Sequence, residues 1–232
     1  MRQQLAKRVV AEALGTFFLL AAVVGSGIMA ERLANGNIAL ALLANTAATG
    51  TALVALIISF ASVSGAHFNP VVTLSFALRF DLGWRDVPFY ILAQIAGGLG
   101  GVMAANTMFS LPLVSVSQHP RAGMAQVFSE FIATLGLLSV ILAASRSTVA
   151  VVAIAVGAYI SAAYWFTAST SFANPAVTVA RCLSDTFAGI RPADAPQFVL
   201  AQLAGGVVAT LLFGWLIPVQ QPNRLETESV GD

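Results

Sequence analysis

Residues 33 to 78 carry no Asp, Glu, Lys or Arg, a run of 46 bounded by Arg32 and Arg79. A helix crosses a bilayer with about 20 residues. The run therefore holds one span plus about half of another. Residues 147 to 180, a charge-free run of 34, repeat the situation. Two further charge-free runs, 87 to 120 and 195 to 223, hold one span each. Charged residues make up 9% of the chain and hydrophobic ones 58%, with mean hydropathy +0.85, whereas ordinary soluble domains are roughly 25% charged. So few charges cannot cover a soluble globule of 24.0 kDa. The chain reads as an integral membrane protein, which excludes a soluble enzyme and a disordered chain. A net charge of +1 gives no basic surface for nucleic acid. One cysteine, Cys182, excludes an internal disulfide, and two histidines, His67 and His119, offer little to a metal. No catalytic set, metal site or cofactor is expected.

Six full helices are expected, at about 8–30, 38–61, 87–109, 124–145, 148–167 and 197–218. The N-terminal stretch has a basic flank like a signal peptide, but Glu12 interrupts its apolar region. Both surplus half-spans carry the same punctuation: Asn69-Pro70-Val71-Val72-Thr73 and Asn174-Pro175-Ala176-Val177-Thr178. Asn is a good helix N-cap and Pro fits the first helical position. These are predicted half-helices, at 69–78 and 174–183, that begin at membrane depth. Irregular backbone survives there only when buried in protein or lining a watery cavity.

Three landmarks recur in order. Glu130 follows Glu12 by 118 residues, Asn174 follows Asn69 by 105, and Gln202 of Ala-Gln-x-Ala-Gly-Gly follows Gln94 by 108. The predicted organisation is a first repeat over 1–110, a second over 122–219 and a short tail over 220–232. Each repeat has three full spans, an odd number, so the second copy is inverted about an axis in the membrane plane. The fold expected is all-α, with six membrane helices and two half-helices meeting near the midplane. With the N-terminus inside, basic residues number seven on the cytoplasmic side (Arg2, Lys7, Arg8, Arg79, Arg85, Arg146, Arg224) and four outside (Arg32, Arg121, Arg181, Arg191). Both termini are then cytoplasmic.

Converging half-helix N-termini place positive dipole ends around one point and repel cations. The amides of Asn69 and Asn174 can donate into a lumen, and the segments 64–68 and 169–173 must expose carbonyl acceptors. Such a path suits small neutral polar molecules. Glu12 and Glu130 are costly at membrane depth unless satisfied. One reading is proton coupling; the other, favoured by their presence in both repeats, is that they accept hydrogen bonds from the half-helix loops. The glycines Gly15, Gly97, Gly98, Gly101, Gly205 and Gly206 allow close helix crossing.

The paired Asn-Pro boxes, the early Glu of each repeat and the Ala-Gln-x-Ala-Gly-Gly segments resemble the aquaporin, or major intrinsic protein, superfamily over about residues 5 to 218. The resemblance implies a right-handed bundle, a pore through each protomer, a homotetramer in membrane lipid, His67 in the cytoplasmic half of the pore, and structural roles for Pro70, Pro175, Glu12 and Glu130. The first box departs by carrying Val71 in place of Ala. The family's outer constriction, counted from the boxes, falls on Thr49, Ala162, Ser171 and Val177. Position 177 is ordinarily Arg. A Thr, Ala, Ser, Val constriction has no bulk and no charge, so an unusually wide filter is expected. Arg181, one turn beyond Val177, either reaches the outer vestibule or anchors the end of the half-helix. An Arg-less filter resembles the aquaglyceroporin-like branch found with bacterial arsenic-resistance genes. It implies glycerol-like polyols, As(OH)₃, methylated arsenicals and water as solutes, in the inner (plasma) membrane. The alternatives are a proton-coupled transporter using Glu12 or Glu130 and a junction protein with a vestigial pore.

Overall fold

Long helices fill most of each charge-free run, and two more form in apolar sequence that Glu12 and Glu130 interrupt. The computed structural model describes residues 2–79 and 81–217. The tail expected at 220–232 lies outside them. In chain order the helices are α1 (Arg2–Leu33), α2 (Ile38–Ser64), α3 (Pro70–Leu78), α4 (Val87–Met108), α5 (Met124–Ala144), α6 (Val149–Phe166), α7 (Pro175–Arg181) and α8 (Ala195–Leu216). Asn37 caps α2 by accepting from Leu40 N–H at 3.0 Å, and Thr148 caps α6 through Val151 N–H. Six of these helices are long and apolar enough to cross a membrane. Large apolar residues such as Phe18, Leu43, Phe89, Phe128, Ile154 and Leu211 lie exposed on them, as a lipid-facing surface requires. The short α3 and α7 are the half-helices. α7 ends at Arg181, capped by Cys182, two residues before the predicted end. α1 begins well before residue 8.

The chain alternates between two faces, the near face on which α1 begins and the far face opposite. α5 starts on the far face, so the second repeat runs inverted relative to the first. Within each half the strongest packing joins the first long helix to the last, α1 to α4 and α5 to α8, while α2 and α6 join the two halves. These crossings are close. A Cβ on Gly97 would sit 2.1 Å from the Ala13 carbonyl oxygen, and one on Gly205 2.4 Å from that of Phe131. Each half-helix reaches the other half's last helix, α7 packing chiefly on α4 and α3 equally on α8 and its own α4. This exchange brings both half-helix N-termini to the centre of the bundle.

Candidate functional site

The two Asn-Pro boxes form a reciprocal clasp. Asn69 Oδ1 accepts from Val71 N–H at 2.9 Å, and Asn174 Oδ1 accepts from Ala176 N–H at 2.9 Å and Val177 N–H at 3.3 Å. Pro70 and Pro175 fill the first helical positions, where no N–H is needed. The amide nitrogens then cross between the halves. Asn69 Nδ2 donates to Ala173 O at 2.7 Å and Asn174 Nδ2 to Phe68 O at 2.8 Å. Each NH₂ carries two hydrogens. One is taken by the clasp, and both residues line the central cavity, so the second remains for a solute.

The descending loops repeat one unusual conformation. Gly65, Ala66 and Phe68 have positive φ (90°, 51° and 48°), and so do their counterparts 105 residues on, Thr170, Ser171 and Ala173 (60°, 50° and 48°). Left-handed backbone at non-glycine residues costs about 1–3 kcal/mol each and persists only where its surroundings enforce it. The enforcing groups are the buried carboxylates. Glu12 Oε1 accepts from Ser64 Oγ (2.6 Å) and His67 N–H (2.9 Å), and its Oε2 from Phe68 N–H (2.7 Å) and Gln94 Nε2 (2.8 Å). Glu130 accepts from Phe172 N–H and Ala173 N–H, both at 2.8 Å, and from Gln202 Nε2 at 2.6 Å. With the N–H groups drawn back to the carboxylates, the carbonyls turn the other way. Those of Gly65, Ala66, His67, Ser171 and Phe172 accept no hydrogen bond among the described residues, and all five residues line the cavity. The result is a ladder of acceptors above and below the asparagine donors.

The remaining wall comes from helical stripes at i, i+4 spacing: Leu53 and Ile57 on α2, Val152 and Val156 on α6, with Leu19 and Val23 on α1. This wall is apolar. At these levels a solute meets polar partners only on the loop side. His67 lines the near half, its ring 4.7 Å from Phe76 and 5.4 Å from Tyr90 between centroids. Thr73 Oγ1 donates to Asn69 O and accepts from Gln94 Nε2, so His67 Nδ1, 3.1 Å away, is the donor in their pair.

In the far half, Thr49, Ser171 and Val177 line the cavity. Ser171 Oγ has no partner among the described residues. Ala162 does not line it. That residue is exposed on the outer side of α6, and Ile160 and Tyr164 face the lumen instead. Counting back from Asn174 assumed a fixed connection between helix and box. At 100° per residue, an error of two residues lands on the opposite side of a helix. The small Ala expected in the filter is therefore replaced by larger side chains, and Tyr164 Oη donates to Thr49 Oγ1 at 3.3 Å. Arg181 both lines the cavity and anchors α7, since its Nε donates to Ala188 O. Arg121, in the far-face loop between α4 and α5, was passed over in the sequence because nothing local marks it. It donates to Gly189 O (2.8 Å), Ser169 O (3.1 Å) and Thr170 Oγ1 (3.4 Å), and its backbone N–H to Asp194 (2.9 Å). Burial lowers its pKa to about 10, so it stays charged at neutral pH. Among the described residues no group of His, Cys, Asp and Glu could hold a metal ion.

The major intrinsic protein profile matches residues 1–148 and again residues 143–230. The chain is 53% identical over 223 residues to aquaglyceroporin AqpS of Rhizobium meliloti (strain 1021), covering 96% of this chain and 95% of that relative. It is 29% identical over 234 residues to aquaporin NIP1-1 of Oryza sativa subsp. japonica, covering 96% and 78%. The X-ray structure of the aquaglyceroporin from Plasmodium falciparum matches with a TM-score of 0.71 at 21% identity, over 92% of this chain and 97% of that one. That likeness concerns the fold. A clasp of two Asn-Pro half-helices inside an inverted repeat, matched by this profile from end to end, places the chain in the major intrinsic protein family of membrane channels.

Proposed function

We propose that this channel passes neutral solutes of glycerol size and larger: polyols, As(OH)₃ and methylated arsenicals, with water alongside. The observation that carries the reading is Val177. It stands three residues after Asn174 and lines the cavity with Thr49 and Ser171, so no guanidinium narrows the lumen at that level. Two hydroxyls, the asparagine amides and the carbonyl ladder offer hydrogen bonds to a polyol, and the apolar stripe accommodates its carbon face. The aquaglyceroporin name of the 53% identical relative supports a polyol-type solute. Proton coupling finds no support, because both oxygens of Glu12 and of Glu130 are engaged as acceptors from loop N–H and glutamine donors. We further assign the near face to the cytoplasm from the excess of basic residues there, the protein to the inner (plasma) membrane, and the assembly to a homotetramer on the family pattern.

Stopped-flow permeability of proteoliposomes to water, glycerol, urea and arsenite tests the solute range. Val177→Arg gives the sharper test. A planar guanidinium with donors fixed in space would reach across the lumen towards Thr49 and Ser171. Water can pair with it and still pass. The ratio of glycerol or methylated-arsenical permeability to water permeability should fall several-fold at matched protein density. An unchanged or increased ratio would mean that position 177 does not set the aperture.

A further inference from the structure

We infer that Arg181 supplies this pore with a fixed-charge barrier to cations, beyond the dipole field at the asparagines, so that charge selection and size selection are made at two different levels of the lumen. The inference rests on the channel reading above. Arg181 lies one helical turn beyond Val177 on α7, lines the same cavity and is 2% exposed. Its Nε–H is taken by Ala188 O, and its guanidinium carbon sits 3.5 Å from the centroid of the Phe172 ring. The hydrogens on its two Nη atoms have no protein acceptor among the described residues. Arg121 stacks on the same ring at 4.9 Å, held by carbonyls of the loops around it. Among the described residues neither guanidinium is ion-paired.

A long side chain kept only as an anchor would not need an unpaired buried charge, which is expensive to desolvate. At the mouth of a largely apolar lumen the same charge has a use. Field lines are focused between low-dielectric walls, so a fixed positive group strongly repels Na⁺ and H₃O⁺ while leaving neutral solutes almost untouched. A guanidinium at the constriction itself would supply the barrier and also narrow the opening. Moving it one turn outward, flat against Phe172, keeps the barrier and leaves the level of Thr49, Ser171 and Val177 free of it. An aperture free of a guanidinium and tightness to cations then coexist.

The test uses the full chain in proteoliposomes, with glycerol flux followed by light scattering and Na⁺ and H⁺ leak by entrapped dyes. The quantity read is the ratio of cation leak to glycerol flux. Arg181→Gln should raise it by about tenfold or more, as removal of a focused charge implies. Arg181→Lys, which keeps the charge, should stay close to the parent. A ratio in Arg181→Gln equal to the parent's overturns the inference and leaves the channel reading standing. No glycerol flux in the parent overturns both. Should Arg181→Gln fail to insert, Ser171→Cys in a Cys182→Ser background serves instead. Beside Arg181 its thiol should favour an anionic over a cationic thiosulfonate by about tenfold relative to a free thiol; the free-thiol ratio would overturn the inference.

Discussion

The near-face and far-face loops share one backbone and differ in what holds it. Ser64 and Ser169 are equivalent, and each hydroxyl accepts from the N–H two residues on, at 3.1 and 3.2 Å. Their carbonyls are also both capped, but by different chemistry. Ser64 O accepts from Tyr90 Oη at 2.8 Å, and that phenol is tied to Arg8 at 2.7 Å. The counterpart of Tyr90 in the second half is Phe198, which has no hydroxyl and instead packs edge-on against Phe172. Ser169 O is therefore capped by Arg121, brought in from a separate loop. The repeat has kept the backbone geometry that aims carbonyls into the lumen and has exchanged the group that fixes it. In the far half that group carries a charge.

The largest effect that could separate the halves is loss of a carboxylate. Glu12→Ala strands four buried donors and Glu130→Ala three. At about 1–3 kcal/mol per stranded group, both should lower thermal stability in detergent severely, Glu12→Ala more than Glu130→Ala. The Gln variants, which keep one acceptor oxygen, should lose less. Equal, small losses in all four would show that the loops are fixed by something other than the carboxylates.

Next in size is the asymmetry between the boxes. Val71, where the second box has Ala176, rests on Gly206, and a Cβ there would lie 2.2 Å from Val71 Cγ1. At the equivalent Gly98 the nearest atom would be Ala180 Cβ at 3.3 Å. Gly206→Ala should cost about 1–3 kcal/mol by overpacking, Gly98→Ala clearly less, and Val71→Ala should rescue Gly206→Ala. Melting temperatures of the two singles and the double decide it; an absent rescue would mean that Val71 and Gly206 are not coupled.

The smallest effect concerns the caps. Tyr90→Phe leaves Ser64 O without its donor and should cost about 1 kcal/mol. Phe198→Tyr, which recreates the near-face phenol in the far half, should recover part of the stability lost in Arg121→Gln. If it recovers none, the two caps are not interchangeable and the far loop depends on Arg121 for its charge or its other contacts.

Much of this was legible in the chain. Charge-free runs located α2, α4, α6 and α8, and apolar stretches broken by one glutamate located α1 and α5, all to within a few residues except at the start of α1, where Arg2, Lys7 and Arg8 hide a helix that extends beyond the apolar part. Asn-Pro in each surplus half-span located α3 and α7, because cap and proline act within a few residues of each other. Ala162 was mistaken because its position depends on how many residues the segment between α6 and the box consumes, which no local signal reports. Tyr164 and Arg121 were missed for a related reason. Their partners, Thr49 and the loops at 169–170 and 187–189, are remote in sequence. The left-handed residues were also invisible, since Ala, Phe, Ser and Thr carry no signature of positive φ. Only the carboxylates above them account for it.

The clasp between the asparagines also sets an order of manufacture. When the first half emerges from the ribosome, Asn69 Nδ2 and the Phe68 carbonyl have no mates, because Ala173 and Asn174 are still more than a hundred residues away. Nine residues of helix extend only about 13 Å, too little for α3 to cross the bilayer and settle as a span of its own. The first re-entrant segment must wait, shielded by α1 and α4 or by the insertion machinery, until the second arrives. Synthesis of the pore is then finished by one late docking event, and a chain truncated before residue 174 should be recognised by the cell as incomplete however well its first four helices have inserted.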